Sequence, residues 1–198
     1  MAAPLQFWFD LASTYSYVAA LRIERACASK SVTLVWKPFL LGPIFSQLLG
    51  INDSPFNANP VHGRYMWRDL ERLCGKYGLS WRRPSVFPRK SVLAARVASA
   101  GATEGWGPQF VRAAFHANFA EDRDIADAAT LSGLLAELAV RPGPTLERAV
   151  SPEVRAQLRA NTAEAMQIGM FGAPSFVVSG ELFFGQDRLE DAIEWASQ

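Results

Sequence analysis

The stretch Phe7-Trp8-Phe9-Asp10-Leu11-Ala12-Ser13-Thr14-Tyr15-Ser16-Tyr17, followed by Val18-Ala19-Ala20-Leu21, leaves the chain few choices near its start. Its first part is an apolar, aromatic run that suits a buried strand. A Ser/Thr cluster interrupts the run, and the apolar spacing then turns helical. A strand that hands directly to a helix gathers small hydroxyls and unpaired backbone N–H groups at one point. That point is electropositive, because the first four N–H groups of a helix lack intrahelical partners and the helix dipole adds to them. An anion such as a thiolate is stabilised there. Ser13 also reads as an ordinary N-cap, a role that serine fills without any ligand.

Composition narrows the function classes. With 198 residues, 49% of them hydrophobic, the chain can bury a large core, which excludes global disorder. A net charge of +1 offers nucleic acid no general attraction, and the arginines between Arg64 and Arg72 alternate with Asp69 and Glu71 as on a solvated helix face. The start has no basic leader region, and Asp10 breaks the early apolar run. No uncharged stretch reaches the roughly 18 residues of a membrane span. These features point to a cytoplasmic protein with neither nucleic-acid nor membrane partners. Cys27 and Cys74 are far apart in helical patterns, so they form no CxxC pair and read as small buried hydrophobes. His62 and His116 stand outside any HExxH or His/Cys cluster, which argues against a protein metal site or a His-based triad.

Taken in order, residues 5–10 read as a strand. Thr14 to about Ala28 reads as a helix with Tyr17, Val18, Leu21 and Ala28 inward and Arg22, Glu24 and Arg25 in water. The β-branched run Val32–Trp36 predicts a second strand ending at Pro38. The two strands of this βαβ unit are expected to be parallel with a right-handed crossover. The chain changes character over about 42–60, where Gly42-Pro43 and Gly50 punctuate it and Asn52–Pro60 reads as a polar, turn-rich loop. Helices follow over Tyr65–Tyr77 with Gly78 as the stop, and from Ser91 as cap to Ala100 with Gly101 closing. Between them lies a proline-bracketed connector over 82–88. Further helices open at Pro108, run over 128–139, and start at Ser151-Pro152 to end at Gly169. Phe176–Val178 and Leu182–Phe184, joined by Ser179-Gly180-Glu181, predict an antiparallel hairpin. Asp187 with Glu190 reads as a capping box for a last helix.

A βαβ half and a ββα half sharing one sheet resemble the thioredoxin fold. Ala173-Pro174-Ser175 stands directly before the third strand, where that fold places a cis-proline beside the start of the first helix. Ser13-Thr14-Tyr15-Ser16 occupies the turn where redox members carry CxxC. Disulfide exchange requires a thiolate, which serine cannot supply, so dithiol oxidoreductase chemistry is excluded. From about Leu5 to Trp195 the chain resembles the 2-hydroxychromene-2-carboxylate isomerases, relatives of the kappa-class glutathione transferases and the periplasmic disulfide oxidoreductases. The resemblance is carried by Phe9–Tyr17, Gly63–Leu70, Phe171–Phe176 and Phe184–Arg188, in that order. It implies an α/β, thioredoxin-like fold with a large all-helical insertion: residues 1–42 plus 170–198 form the thioredoxin-like domain and 43–169 the insertion.

The resemblance also implies a glutathione site. Ser13 would hydrogen-bond the glutathione sulfur, Ala173 before cis-Pro174 would pair its backbone with the peptide, and Gly185, Gln186, Asp187 and Arg188 would receive the γ-glutamyl end. Asp187 would accept from the α-ammonium while Gln186 and the helix start meet the carboxylate. A free thiol has a pKa of about 8.5, and a hydrogen bond to a charged group is worth roughly 1.5–3 kcal/mol. Ser13 would therefore stabilise a thiolate without being a nucleophile. The implied reaction opens a bicyclic hemiketal carboxylate to trans-o-hydroxybenzylidenepyruvate: the thiolate adds to a conjugated carbon, a bond rotates, and the thiolate leaves. The substrate, a small aromatic carboxylate, would meet Tyr15, Asn57, His62 and the Arg89-Lys90 pair over an aromatic floor of Trp8, Phe39 or Trp67. Thr14, His62 and Lys90 depart from the family's usual proline, lysine and asparagine, which bears on the substrate more than on glutathione. The family further implies a homodimer. A kappa-like transferase or peroxidase, and a glutathione-binding protein without turnover, are the alternatives.

Overall fold

The computed structural model describes residues 3–198, so the first two residues of the expected 1–42 segment lie outside the described residues. Four strands form one mixed sheet in the order β2-β1-β3-β4. β1 (Leu5–Phe9) and β2 (Leu34–Pro38) are parallel, with Leu5 opposite Leu34 and Phe9 opposite Pro38. β3 (Ser175–Val178) runs antiparallel to β1 on its other side and pairs with β4 (Glu181–Phe184). Ser179 (φ 51°) and Gly180 (φ 87°) make the hairpin turn. Two consecutive positive φ angles suit the right-handed twist of the strands, so the turn is one residue shorter than expected and Glu181 belongs to β4.

The crossover is two helices rather than one, α1 (Thr14–Ala20) and α2 (Ile23–Ser29). The two differ in burial: α1 is buried almost all round, whereas α2 buries only Ile23 and Cys27. Arg22 at the junction lies over the Tyr77 ring and pairs with Glu190.

The punctuated stretch over 42–60, with the loop expected at Asn52–Pro60, is mostly helical: α3 (Leu41–Leu49), α4 (Pro55–Ala58) and the first turn of α5 (Pro60–Tyr77). The prolines that suggested a loop stand in first helical turns, where a missing N–H costs nothing. Ser54 caps α4 through Phe56 N (3.3 Å), and Asn59 caps α5 through Val61 N (3.1 Å) and His62 N (3.2 Å). Gly63 lets α4 and α5 touch, because a Cβ there would strike the Phe56 carbonyl. Gly78 and Gly169 end their helices in the left-handed conformation, as their positions suggested.

α6 (Val92–Ala100), α7 (Gly107–Phe119), α8 (Ala128–Glu137), α9 (Pro142–Ala149) and α10 (Pro152–Ile168) complete the helical block. α9 escaped the sequence reading, since Gly143 and Pro144 leave its short span without a helical pattern. Ser91 sits at the start of α6, but its hydroxyl donates to Asp10 Oδ1 (2.6 Å) and makes no cap. No capping box forms at the last helix either. Gln186–Arg188 make a 3-10 turn before α11 (Leu189–Ala196), so Asp187 falls inside that turn, while Glu190 is drawn to Arg22.

Alternation along β1 gives the sheet two apolar faces. Phe7, Phe9 and Phe176 join one large core with Tyr17, Met66, Leu70, Phe110, Phe115 and Leu131. Trp8 and Val177 face the other way, onto Phe39, Ile44, Ala165 and Met170. Among the described residues, no helix is long and apolar enough to cross a membrane.

Candidate functional site

β1 ends at Phe9, and the next four residues carry the chain into α1. Asp10, only 4% exposed, organises that turn. Its Oδ1 accepts from Ala12 N (2.9 Å) and Ser91 Oγ (2.6 Å), and its Oδ2 from Leu41 N (2.8 Å). One carboxylate thus ties the β1–α1 turn to the starts of α3 and α6. Burial pushes the Asp10 pKa up, and these three hydrogen bonds oppose that rise in part. The sequence reading saw Asp10 only as a break in an apolar run. The usable signal was its place at the strand end, three residues before the helix cap.

Ser13 takes an extended conformation and caps α1, its Oγ accepting from Ser16 N (3.2 Å). The same hydroxyl donates to the Ala173 carbonyl (2.9 Å), across 160 residues of sequence. The Ala173–Pro174 peptide is cis, as its place before β3 suggested. The Pro174 carbonyl accepts from Gly185 N (3.0 Å). Ser13, Ala173, Pro174 and Gly185 are therefore brought together by a chain of hydrogen bonds. Gly185 has φ +108°, and a Cβ there would lie 2.5 Å from the Asp187 carboxylate, so glycine is required. Thr14 turns its hydroxyl inward to the Met66 sulfur (3.3 Å). Ser16 Oγ is buried with no hydrogen-bond partner among the described residues.

Tyr15 is half-buried, and its hydroxyl donates to Asp69 Oδ2 (3.0 Å). Burial is the main reason its pKa is raised, followed by the Asp69 carboxylate, while Tyr65 and Asp187 push it the same way more weakly. Asp69 and Asp187 thus face one tyrosine from α5 and from the 3-10 turn. Asp69 escaped the sequence reading, although it stands inside the Gly63–Leu70 stretch. The Tyr15 ring lies 6.2 Å from Phe56, which lies 6.0 Å from His62, so His62 extends this aromatic row from the exposed first turn of α5.

The other expected residues divide. Gln186 is buried, and its Oε1 accepts from Arg22 (3.2 Å). Its amide oxygen is therefore committed to the end of α1 remote from Ser13, and the turn also carries the backbone N–H groups of Gln186 and Asp187. Arg188 is exposed and held by Asp191 (2.9 Å). Asn57 gives its amide protons to Asp53 and to the Phe87 carbonyl (2.9 Å), which pins α4 to the connector. Lys90 is exposed, but Arg89 is not its twin. Arg89 is 6% exposed and spends its donors on Asn118, Ser85 and Asp122, so it is an internal strut rather than a substrate partner. The Ser85 backbone N–H, then Arg89, hold Asp122 down at about 2. The aromatic floor also needs correction. Trp8 and Phe39 are 0% exposed, edge to face on the far side of the sheet, because β1 alternation turns Trp8 away from the Phe7–Phe9 face. Trp67 lies tilted against Trp81 and edge-on to Phe87, with the Arg83 guanidinium over its ring.

A family model described as a DsbA-like thioredoxin domain matches residues 4–194. The chain is 26% identical over 191 residues to a 2-hydroxychromene-2-carboxylate isomerase of Sphingobium xenophagum, covering 96% of both chains. It is 25% identical over 214 residues to glutathione S-transferase kappa 2 of Caenorhabditis elegans, covering 98% of this chain and 92% of that one. Among solved structures, a selenomethionine 2-hydroxychromene-2-carboxylate isomerase superposes with a TM-score of 0.84 at 20% identity, over 93% of this chain and 90% of that one, which is a likeness of fold. Matched over nearly its whole length, with the strand order and the cis peptide in place, the chain belongs to the DsbA-like thioredoxin domain family.

Proposed function

We propose that this protein is a glutathione-dependent isomerase acting on 2-hydroxychromene-2-carboxylate or a related aromatic hemiketal carboxylate. The observation that carries the reading is the Ser13 hydroxyl at the mouth of α1, hydrogen-bonded to the carbonyl that precedes cis-Pro174. The similarity to the Sphingobium isomerase supports the reaction type. On this reading glutathione changes the partners of two groups. Ser13 gives its proton to the sulfur, and the Ala173 carbonyl accepts from a peptide N–H of the ligand. The N–H groups opening α1 lie beside the sulfur and favour its anion. At the other end of the tripeptide, the backbone N–H groups of Gln186 and Asp187 meet the γ-glutamyl carboxylate. Asp187 and Asp69 flank the α-ammonium.

The thiolate adds to the conjugated carbon of the substrate, the former double bond rotates, and elimination returns the thiolate unchanged. On this reading Tyr15, whose hydroxyl donates to Asp69, and His62 at the end of the aromatic row would meet the phenol and carboxylate of the substrate. Asn57 and Lys90 stand further out on the same reading. We assign the enzyme to the cytoplasm, where thiols are kept reduced, and expect a homodimer, as the family resemblance implies.

A kappa-like transferase is the second reading, favoured by the similarity to the Caenorhabditis protein. One comparison separates the two. The expected result is opening of the chromene hemiketal, followed by absorbance, that requires glutathione and leaves its concentration unchanged. Consumption of glutathione by a generic electrophile, without chromene turnover, would assign the transferase reading. Tight glutathione binding with neither activity would leave a binding protein.

A further inference from the structure

β2 is an edge strand of the sheet, with β1 on one side and, among the described residues, no strand on the other. In a parallel pair, alternate residues of a strand bond the neighbour, and those between them turn their N–H and C=O groups away. Leu5 N donates to the Thr33 carbonyl (2.9 Å) and Phe39 N to the Phe9 carbonyl (3.1 Å), so Thr33, Val35, Lys37 and Phe39 are the residues that bond β1. The main-chain groups of Leu34, Trp36, Pro38 and Leu40 therefore face outward. α10 serves the last two. Asn161 donates its side-chain amide to the Pro38 carbonyl (2.9 Å), and Thr162 Oγ1 accepts from Leu40 N (3.2 Å). Among the described residues, the outward N–H and C=O groups of Leu34 and Trp36 have no partner.

They stand at a cleft of about 910 Å³ that Leu34–Pro38 line from end to end. Ala98 of α6, Val111 of α7 and Val154 of α10 give it apolar lining, with Thr103 from the loop after α6. Neither Ser13, Ala173 nor Gly185 lines it, so it is separate from the mouth of α1. Solvent reaches it, since Val35 is 38% exposed and Thr103 is exposed too. Both cations in the lining are already neutralised: Lys37 by Glu164 (3.0 Å) and Arg148 by Glu104. The remaining charge is Glu153 at the exposed start of α10, so the cleft offers an anion no free cation.

Spacing selects the occupant. The two open N–H and C=O pairs lie two residues apart, about 6.6 Å along the strand. An extended main chain repeats donor and acceptor at that interval, whereas a compact molecule reaches one pair. Strand addition to a sheet edge draws its affinity from such main-chain bonds, and its selectivity from alternate side chains. We infer that the β2 edge binds a short, extended peptide without acidic residues, which adds a fifth strand along Leu34–Trp36 and continues the role that Asn161 fills at Pro38.

Amide hydrogen exchange followed by NMR on the full chain tests this, with the blocked peptide acetyl-Thr-Val-Thr-Val-Thr-amide as the probe. At ten times Kd, exchange of the Leu34 and Trp36 amides is expected to slow about tenfold. The same peptide methylated on every amide nitrogen has no donors and should give no slowing. Leu34→Pro removes one outward N–H at the first residue of β2, where proline is tolerated and the pairing with β1 does not use that group. It should raise Kd by about 2- to 10-fold. The two peptides decide the matter even where Leu34→Pro does not fold. No slowing with the parent peptide, equal slowing with the methylated one, or an unchanged Kd in folded Leu34→Pro overturns the site. Protection of Leu34 and Trp36 that rises with protein concentration alone assigns the edge to a second copy, and overturns the peptide as occupant.

Discussion

Replacing Ser13 by alanine is expected to lower the glutathione-dependent rate at neutral pH by about 10- to 100-fold, with the loss recovered as the pH is raised. The reason is a single hydrogen bond. A bond to a charged partner is worth roughly 1.5–3 kcal/mol, which corresponds to about one to two pKa units on the bound thiol. In the variant the sulfur is mostly protonated at neutrality, so little nucleophile remains. Above the shifted pKa the thiol ionises without help, and the rate returns. The same substitution removes the α1 cap, at a cost of about 1 kcal/mol to stability. That cost is independent of the thiol and would not produce a pH-dependent rescue. A rate depressed equally at every pH would reduce Ser13 to a helix cap.

The second large effect concerns Asp10. Asp10→Ala leaves Ala12 N and Leu41 N without acceptors, at about 1–3 kcal/mol each, so unfolding free energy is expected to fall by about 2–6 kcal/mol. The Ser91 hydroxyl also loses its partner, but it can rotate to another. The pH dependence has a definite sign. Burial raises the Asp10 pKa in the folded state above the ordinary 3.8, so the carboxyl holds its proton more tightly folded than unfolded. The stability it contributes is fully present below about pH 3.8 and is lost as the pH rises through the folded value. Urea unfolding of both proteins across this range should show the largest difference at the acidic end. A difference that grows toward neutral pH would mean that hydrogen bonding outweighs desolvation at this site.

The elements that read correctly from sequence are those set by local chemistry. The strand β1, the antiparallel hairpin around Ser179-Gly180 (though not the length of its turn) and the helix stops at Gly78 and Gly169 each follow from preferences of a few residues. The errors share a physical cause as well. Pro55, Pro60 and Pro144 punctuate the chain, but a proline does not announce whether it ends an element or opens one. Capping by Ser54 and Asn59 and burial of Ile44 decide the matter, and these are tertiary facts.

The candidate site divides in the same way. Ser13 and Ala173 are 160 residues apart, so only the resemblance could pair them before the structure did. Asp10 and Asp69 looked like any acidic residue, because a carboxylate carries no mark of burial in the sequence. Conversely, Arg89 and Trp8 have side chains suited to binding, and the fold spends both internally.

Ultraviolet difference absorption on glutathione binding addresses the central claim most directly, since a thiolate absorbs where a thiol does not. At pH 7, below the pKa of about 8.5 of a free thiol, saturating the protein with glutathione should produce a thiolate band of close to one equivalent. In Ser13→Ala the band should shrink and recover only at higher pH. Saturated binding without a thiolate band, or a band of unchanged size in the variant, would contradict a sulfur held ionised by Ser13 at the mouth of α1.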